Sequence, residues 1–160
     1  MKEQKTNVMR ILERGKIPYT PHEYPHGDAP VDGATVAALL GQDPARVFKT
    51  LVAVGASKRY YVFDIPVTGE LDLKKAAKAV GEKSIAMLRL SELTPLTGYV
   101  RGGCSPIGMK KQFPTVLDES ALDFDTICVS AGRIGAQVEL APRDLLALVR
   151  GTAAALTAQD

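Results

Sequence analysis

Two runs rich in β-branched and apolar residues, 47–54 and 60–67, are separated by only five residues, 55–59, beginning with glycine. Such a spacing predicts a β-hairpin, so the two runs must pair antiparallel and every other side chain must share a face. The hairpin also sets a puzzle. Lys49 interrupts the apolar first strand, on the face that period-2 alternation gives to Val47, Leu51 and Ala53. An ammonium there is compensated by an anionic ligand or lies near a rim where its stem carries the charge out to water.

The flanking segments predict a mixture of helices and strands. Thr6 can cap a helix carrying Val8, Met9, Ile11 and Leu12, with Gly15 placed to end it in the left-handed conformation. Pro18, Pro21 and Pro25 exclude a helix over 19–25 and allow an extended edge strand. Residues 32–40 read as a short helix stopped by Gly41. Asp72 caps a helix over 73–80 that Gly81 closes, and 84–88 can return as a strand. From Thr97 to Gly108 glycines are too frequent for a helix, so a short strand running into an irregular loop is expected. Residues 115–117, 126–130 and 138–140 are strand candidates, Pro142 starts a last helix, and the final ten residues are expected to fray. Strands outnumber helices and do not alternate with them regularly, which predicts an α+β fold with a mixed, curved sheet. At 160 residues, with no repeat or linker, the chain is expected to be a single domain, 1–160.

Composition narrows the class. No apolar run is long enough to cross a bilayer, and the start Met-Lys-Glu-Gln-Lys lacks the apolar core of a signal peptide, so a cytoplasmic protein without membrane attachment is expected. Cys104 and Cys128 form no CxxC pair, and reduced thiols are the default. A formal charge of +2 leaves the partner open, because phosphate binding needs a clustered basic surface. Arg101, Lys110 and Lys111 gather around the glycine-rich loop; Lys74, Lys75 and Lys78 share a helix.

The loop from Gly102 to Gly108 can bring backbone amides close to an anion or a carbonyl oxygen, or can be no more than a tight turn; it has neither P-loop nor dinucleotide spacing. Ser130-Ala131-Gly132 offers the same choice in miniature. Cys104 could act as a nucleophile only with a base the sequence does not supply, and packing explains it more simply. His22 and His26 are four residues apart, but the prolines between them prevent a helix that would align them on a metal. Tyr24 offers a ring and a hydroxyl to a nucleoside.

Taken in order, His22-Glu23-Tyr24-Pro25-His26, Val47-Phe48-Lys49-Thr50-Leu51, Leu71-Asp72-Leu73-Lys74-Lys75, the Gly102–Lys111 loop and Ile127-Cys128-Val129-Ser130-Ala131-Gly132 resemble the YbaK/EbsC family of aminoacyl-tRNA deacylases. The resemblance implies a barrel-like β-sheet surrounded by helices, as in the editing domain of bacterial prolyl-tRNA synthetases. It implies Lys49, Gly102 and Gly103 at the catalytic centre, and Tyr24, His26, Ser105, Pro106, Ile107, Gly108, Ser130 and Gly132 among the substrate-binding positions. No metal or cofactor is implied. The implied substrate is the 3′ end of aminoacylated tRNA, with prolyl-tRNA synthetase as a partner; the oligomeric state stays open. The implied activity is removal of cysteine from mischarged proline tRNA, and from cysteine tRNA. Cys104 stands where the family is aliphatic, and Ala131 and Ile134 depart from its Ser-Gly-Gly-Lys-Arg-Gly.

The lack of a protein nucleophile is consistent with a substrate that brings its own: the thiol of a cysteine ester can attack its own carbonyl and close a thiolactone. Two rivals are a deacylase that activates water against alanine or another small amino acid, and a noncatalytic module that binds tRNA or a synthetase.

Overall fold

The computed structural model describes residues 5–158; the amino-terminal residues 1–4, read above for a signal peptide, and residues 159–160 lie outside that range. In chain order the elements are α1 (Asn7–Arg14), β1 (Thr20–Glu23), α2 (Gly33–Leu40), β2 (Phe48–Gly55) and β3 (Tyr60–Pro66). They continue with α3 (Leu73–Val80), β4 (Ile85–Met87), α4 (Leu90–Thr97), β5 (Thr115–Asp118), β6 (Ile127–Ser130), β7 (Ala136–Leu140), α5 (Pro142–Val149) and β8 (Thr152–Ala154).

The expected hairpin organises everything else. β2 and β3 pair antiparallel from Phe48 opposite Pro66 to Val54 opposite Tyr60. They sit inside a five-stranded mixed sheet of order β4-β2-β3-β5-β8, in which β5 joins β3 and β8 joins β5 in parallel. A second, antiparallel sheet of order β1-β7-β6 meets the first where Val47, just ahead of β2, bridges Cys128 of β6. The fold is therefore α+β, and the barrel-like sheet is built as two sheets joined at one bridge without closing. β1 is the edge strand its prolines require.

Each face has its own apolar filling. Ala53, Tyr61, Phe63 and Ile65 pack against Ala76 and Ala77 of α3. On the opposite face Val52 and Val62 meet Cys104, Met109 and Phe113, with Leu93 and Leu96 of α4 closing over them. The second sheet buries Val129 and Val138 against Val8 and Leu12 of α1 and Leu145 and Val149 of α5. Full burial of residues such as Phe63 and Ile65, both at 0% exposure, stabilises the fold by about 1.5–3 kcal/mol each.

Local signals hold where their chemistry is local. Thr6 accepts from the Met9 amide at 3.2 Å, and Asp72 accepts from Lys74 and Lys75; each such cap is worth about 1 kcal/mol. Three expectations are corrected. Gly15 keeps a right-handed φ of −81°, and Lys16 takes the left-handed turn at +58°. There the Ile17 amide donates to Leu12 O at 2.9 Å and closes the helix one residue later. Residues 90–97 are helical despite Pro95, and Thr97 ends that helix instead of starting a strand. The last ten residues do not fray as a unit: β8 pairs with β5, Leu156 is fully buried, and the Ala158 amide donates to Glu70 O.

Candidate active site

The line where the two sheets meet opens into a cleft of about 580 Å³. Its walls come from seven parts of the chain: Tyr24 after β1, residues 30–36, the start of β2, Val67 after β3, the glycine loop, the end of β6, and β7. Lys49 reaches it because β2 begins at the bridge between the sheets, so the first turns of that strand border open space instead of α3. Lys49 is half-buried, and among the described residues its ammonium has neither a hydrogen-bond nor an ion-pair partner. A partly desolvated ammonium without a counter-charge is the arrangement that binds an anion or developing negative charge. Arg101, exposed at the cleft and likewise unpaired among the described residues, adds a second positive charge.

The glycine loop divides into two halves. Gly102 takes a φ of +85°, and a Cβ there would come within 2.8 Å of Pro30 Cβ, so only glycine lets the two loops close over the cleft. Among the described residues, neither the Gly102 nor the Cys104 amide donates to a protein acceptor, and both residues line the cleft. Gly103, between them, donates its N–H to Val100 O at 3.0 Å and packs against the Arg133 backbone, outside the lining. Ser105, Pro106, Ile107 and Gly108 form the underside. The Ser105 hydroxyl accepts from the Ile107 amide, Ile107 is 1% exposed within the core, and Gly108 lies against the Tyr99 hydroxyl.

On the far wall Ser130 lines the cleft and accepts from the Gly132 amide at 3.1 Å, which leaves its own O–H free to donate. Gly132, with φ +101°, is pressed between Tyr99 and Val8 behind that wall. Tyr24 lines the cleft with 8% exposure, while His26 sits outside, exposed, edge-on to the Tyr24 ring. The structure thus brings Lys49, Tyr24, Gly102 and Ser130 together and leaves His26, Gly103, Ser105–Gly108 and Gly132 in supporting places. Sequence reasoning passed over Thr50, Pro30 and the backbone of Cys104. Pro30 carried no signal, and an amide is invisible in a residue list.

Among the described residues, no side chain of the cleft is set up as a nucleophile. Burial, reinforced by the negative charge of Asp64, pushes the Cys104 thiol up to about 12, so it stays protonated and unreactive. Cys128 is pushed up to about 12 by burial and by Glu139. Among the described residues, His22, Cys128 and Glu139 place potential ligand atoms within 4.8 Å of one another. Glu139 is already engaged: His22 Nε2 lies 2.8 Å from one oxygen, and Thr126 and the Arg46 guanidinium donate to the other. This cluster ties β1, β6 and β7 together.

The aminoacyl-tRNA editing domain family matches residues 31–148, the stretch that supplies every wall of the cleft except Tyr24 and Pro30. The chain belongs to that family. Aminoacyl-tRNA is therefore the substrate class of this editing domain. A relative from Enterococcus faecalis, named EbsC and described as a candidate Cys-tRNA(Pro)/Cys-tRNA(Cys) deacylase, is 49% identical over 158 residues, 99% of this chain and 96% of that one. A crystal structure of a candidate trans-editing enzyme for prolyl-tRNA synthetase is similar with a TM-score of 0.81 and 27% identity, covering 98% of this chain and all of that one. A hypothetical protein of solved structure shares the fold of the editing domain at a TM-score of 0.85 and 23% identity, over 96% of this chain and 100% of its own.

Proposed function

We propose that this editing domain removes cysteine from cysteinyl-tRNA(Pro), and from cysteinyl-tRNA(Cys), with the substrate's thiol as the nucleophile. The observation that carries the reading is a cleft with charge-stabilising groups and no protein nucleophile. Lys49 and two unengaged amides face it, while its one thiol is held protonated. A reaction whose nucleophile arrives with the ester needs the protein only to orient sulfur against carbonyl and to stabilise the oxyanion. The candidate activity named for the E. faecalis relative supports the choice of cysteine.

In this reading Lys49 holds the terminal nucleotide and the developing charge, and the amides of Gly102 and Cys104 receive the oxyanion. Tyr24 packs on the terminal adenosine, with His26 behind its ring, and Ser130 donates to the substrate. Gly103, the Ser105–Gly108 turn and Gly132 shape the backbone that presents these groups. The sulfur–carbon bond forms as the ester bond to the ribose breaks, giving a thiolactone that water opens afterwards. Residues 1–160 act as one domain, in the cytoplasm, in association with prolyl-tRNA synthetase, the partner suggested by the similar trans-editing protein.

The test is release of labelled amino acid from cysteinyl-tRNA(Pro), with alanyl-tRNA(Pro) alongside and product analysis by mass spectrometry. Release of cysteine as thiolactone, with alanine retained, is the expected result. Rapid release of both amino acids points to activated water, and binding without release points to a noncatalytic module; either overturns the reading.

A further inference from the structure

Beneath the cleft lies a second acid–base element. Thr50 lines the cleft one residue from Lys49, and alternation turns it to the other face of β2. There it stands directly opposite Asp64 of β3 and donates its hydroxyl to Asp64 Oδ1 at 2.5 Å. Asp64 is 0% exposed, and its second oxygen, Oδ2, has no hydrogen-bond partner among the described residues. The groups facing it are the Thr50 hydroxyl from β2, the Cys104 thiol from the glycine loop, and apolar Leu117 beside it on β5. Among the described residues no cation compensates it. A strand position between Phe63 and Ile65 would be more stable with an apolar side chain, and an acid retained there at a cost to the fold marks a functional position.

The direction of the Thr50 bond gives that acid a use. With its proton committed to Asp64, the Thr50 oxygen can present only lone pairs to the cleft, so it is an acceptor for a proton of the bound substrate. We propose that Asp64, acting through Thr50, receives the proton that the substrate thiol gives up; this rests on the cysteine reading above. The S–H bond breaks and its proton passes to Thr50 Oγ1 as the Thr50 proton passes to Asp64 Oδ1. The freed sulfur pair forms the C–S bond, and the carbonyl π pair moves to the oxygen facing the Gly102 and Cys104 amides. Collapse of that oxyanion breaks the bond to the ribose oxygen, which leaves with a proton from water; the Thr50 hydroxyl then gives its proton to the hydroxide so formed as Asp64 returns its own to Thr50 Oγ1. Burial lifts the Asp64 carboxyl from 3.8 to about 7. That value matches the carboxyl to a thiol proton far better than an exposed aspartate would be. Asp64 touches no substrate atom, and its role is that of a positioning and proton-accepting residue behind Thr50.

The experiment measures single-turnover release of cysteine from cysteinyl-tRNA(Pro) between pH 5 and pH 8 for the native chain, Asp64→Asn, Thr50→Val and Thr50→Ser. General-base assistance is worth about 10²-fold at its lower end, and two pH units below its pKa only about 1% of an acid is ionised. The ratio of native to Asp64→Asn rates is therefore expected near one at pH 5, rising to about 10²-fold by pH 8. Thr50→Val should show the same pH-dependent ratio, and Thr50→Ser should restore most of the rate. A purely structural role lowers the rate by the same factor at every pH, and that result overturns the relay, as do unchanged rates in both variants. A native chain that leaves cysteinyl-tRNA intact overturns the cysteine reading itself, a distinct outcome visible before any variant is compared.

Discussion

Two carboxyl groups bracket the β2–β3 hairpin, Glu82 at its closed tip and Asp64 near its open end, and they are treated in opposite ways. Glu82 lies at the surface and accepts from the Ser57 amide and hydroxyl and from the Tyr61 hydroxyl, with Gly55 leaving room for it. Those bonds hold its pKa below the usual 4.5. Asp64 is fully buried, accepts one hydrogen bond and keeps one bare oxygen, and is raised to about 7. At the tip both carboxylate oxygens accept hydrogen bonds and the acid fastens the turn. At the open end the Lys49 ammonium, unpaired among the described residues, and a half-satisfied acid, Asp64 bonded to Thr50, lie on opposite faces of the hairpin. The contrast teaches that one strand pair can be optimised for stability at one end and kept electrostatically unfinished at the other, where a ligand completes it.

The largest expected effect breaks the open end by removing its charge. Lys49→Ala is expected to lower cysteine release by about 10²–10³-fold, the cost of losing one main stabiliser of transition-state charge. Because the Lys49 ammonium has no partner to lose among the described residues, the melting temperature should not fall. Parallel single-turnover kinetics and thermal unfolding check this. A variant that loses activity only in proportion to a large drop in melting temperature would make Lys49 a structural residue and erase the contrast.

How much of this was legible beforehand follows from how local each cause is. The hairpin, the Asp72 and Thr6 caps and the Lys49 anomaly were readable because each depends on residues within a few positions of one another. α4 was not: it contains Pro95, lacks a side-chain cap, and is held by Leu93 and Leu96 packing on the apolar cluster that includes Val52, Val62 and Phe113, contacts no short window contains. β8 was hidden for the same reason, since its order comes from β5 and from Leu156 in the core. Within the site, Gly102 and Gly103 are indistinguishable as letters; only the fold reveals that one amide is engaged and the other free. Asp64 did carry a signal, a lone acid in an apolar strand run, as conspicuous as Lys49 two positions before Leu51.

A middle-sized effect sharpens the comparison through stability. The folded-state pKa of Asp64, about 7, lies above the unfolded 3.8. The folded chain thus binds more protons across that window, and stability is full at low pH and lost as pH rises from about 4 to 7. A rise from 3.8 to about 7 corresponds to about 4 kcal/mol as an upper bound. Asp64→Asn should recover on the order of 1–2 kcal/mol at pH 8, since the amide brings unmet polar groups of its own. Urea unfolding at pH 5 and pH 8 should show the native chain weakening and the variant nearly flat. Higher stability with slower cysteine release is the joint result expected of an acid retained for chemistry.

Glu82 supplies the smallest effect and the opposite sign. Its folded pKa is depressed by the Ser57 and Tyr61 hydrogen bonds, so its contribution is present above the unfolded 4.5 and disappears as pH falls through the lower folded value. Glu82→Gln should therefore reduce the melting temperature slightly at pH 7, and the difference from the native chain should shrink as pH falls below 4.5. Cysteine release should be unchanged, because the tip lies at the far end of β2 from Lys49 and contributes nothing to the cleft lining. Slower release in this variant, at a temperature where it is fully folded, would mean that the tip sets the geometry of the open end. The two carboxyls would then belong to one coupled unit, and the division of the hairpin between stability and chemistry would fail.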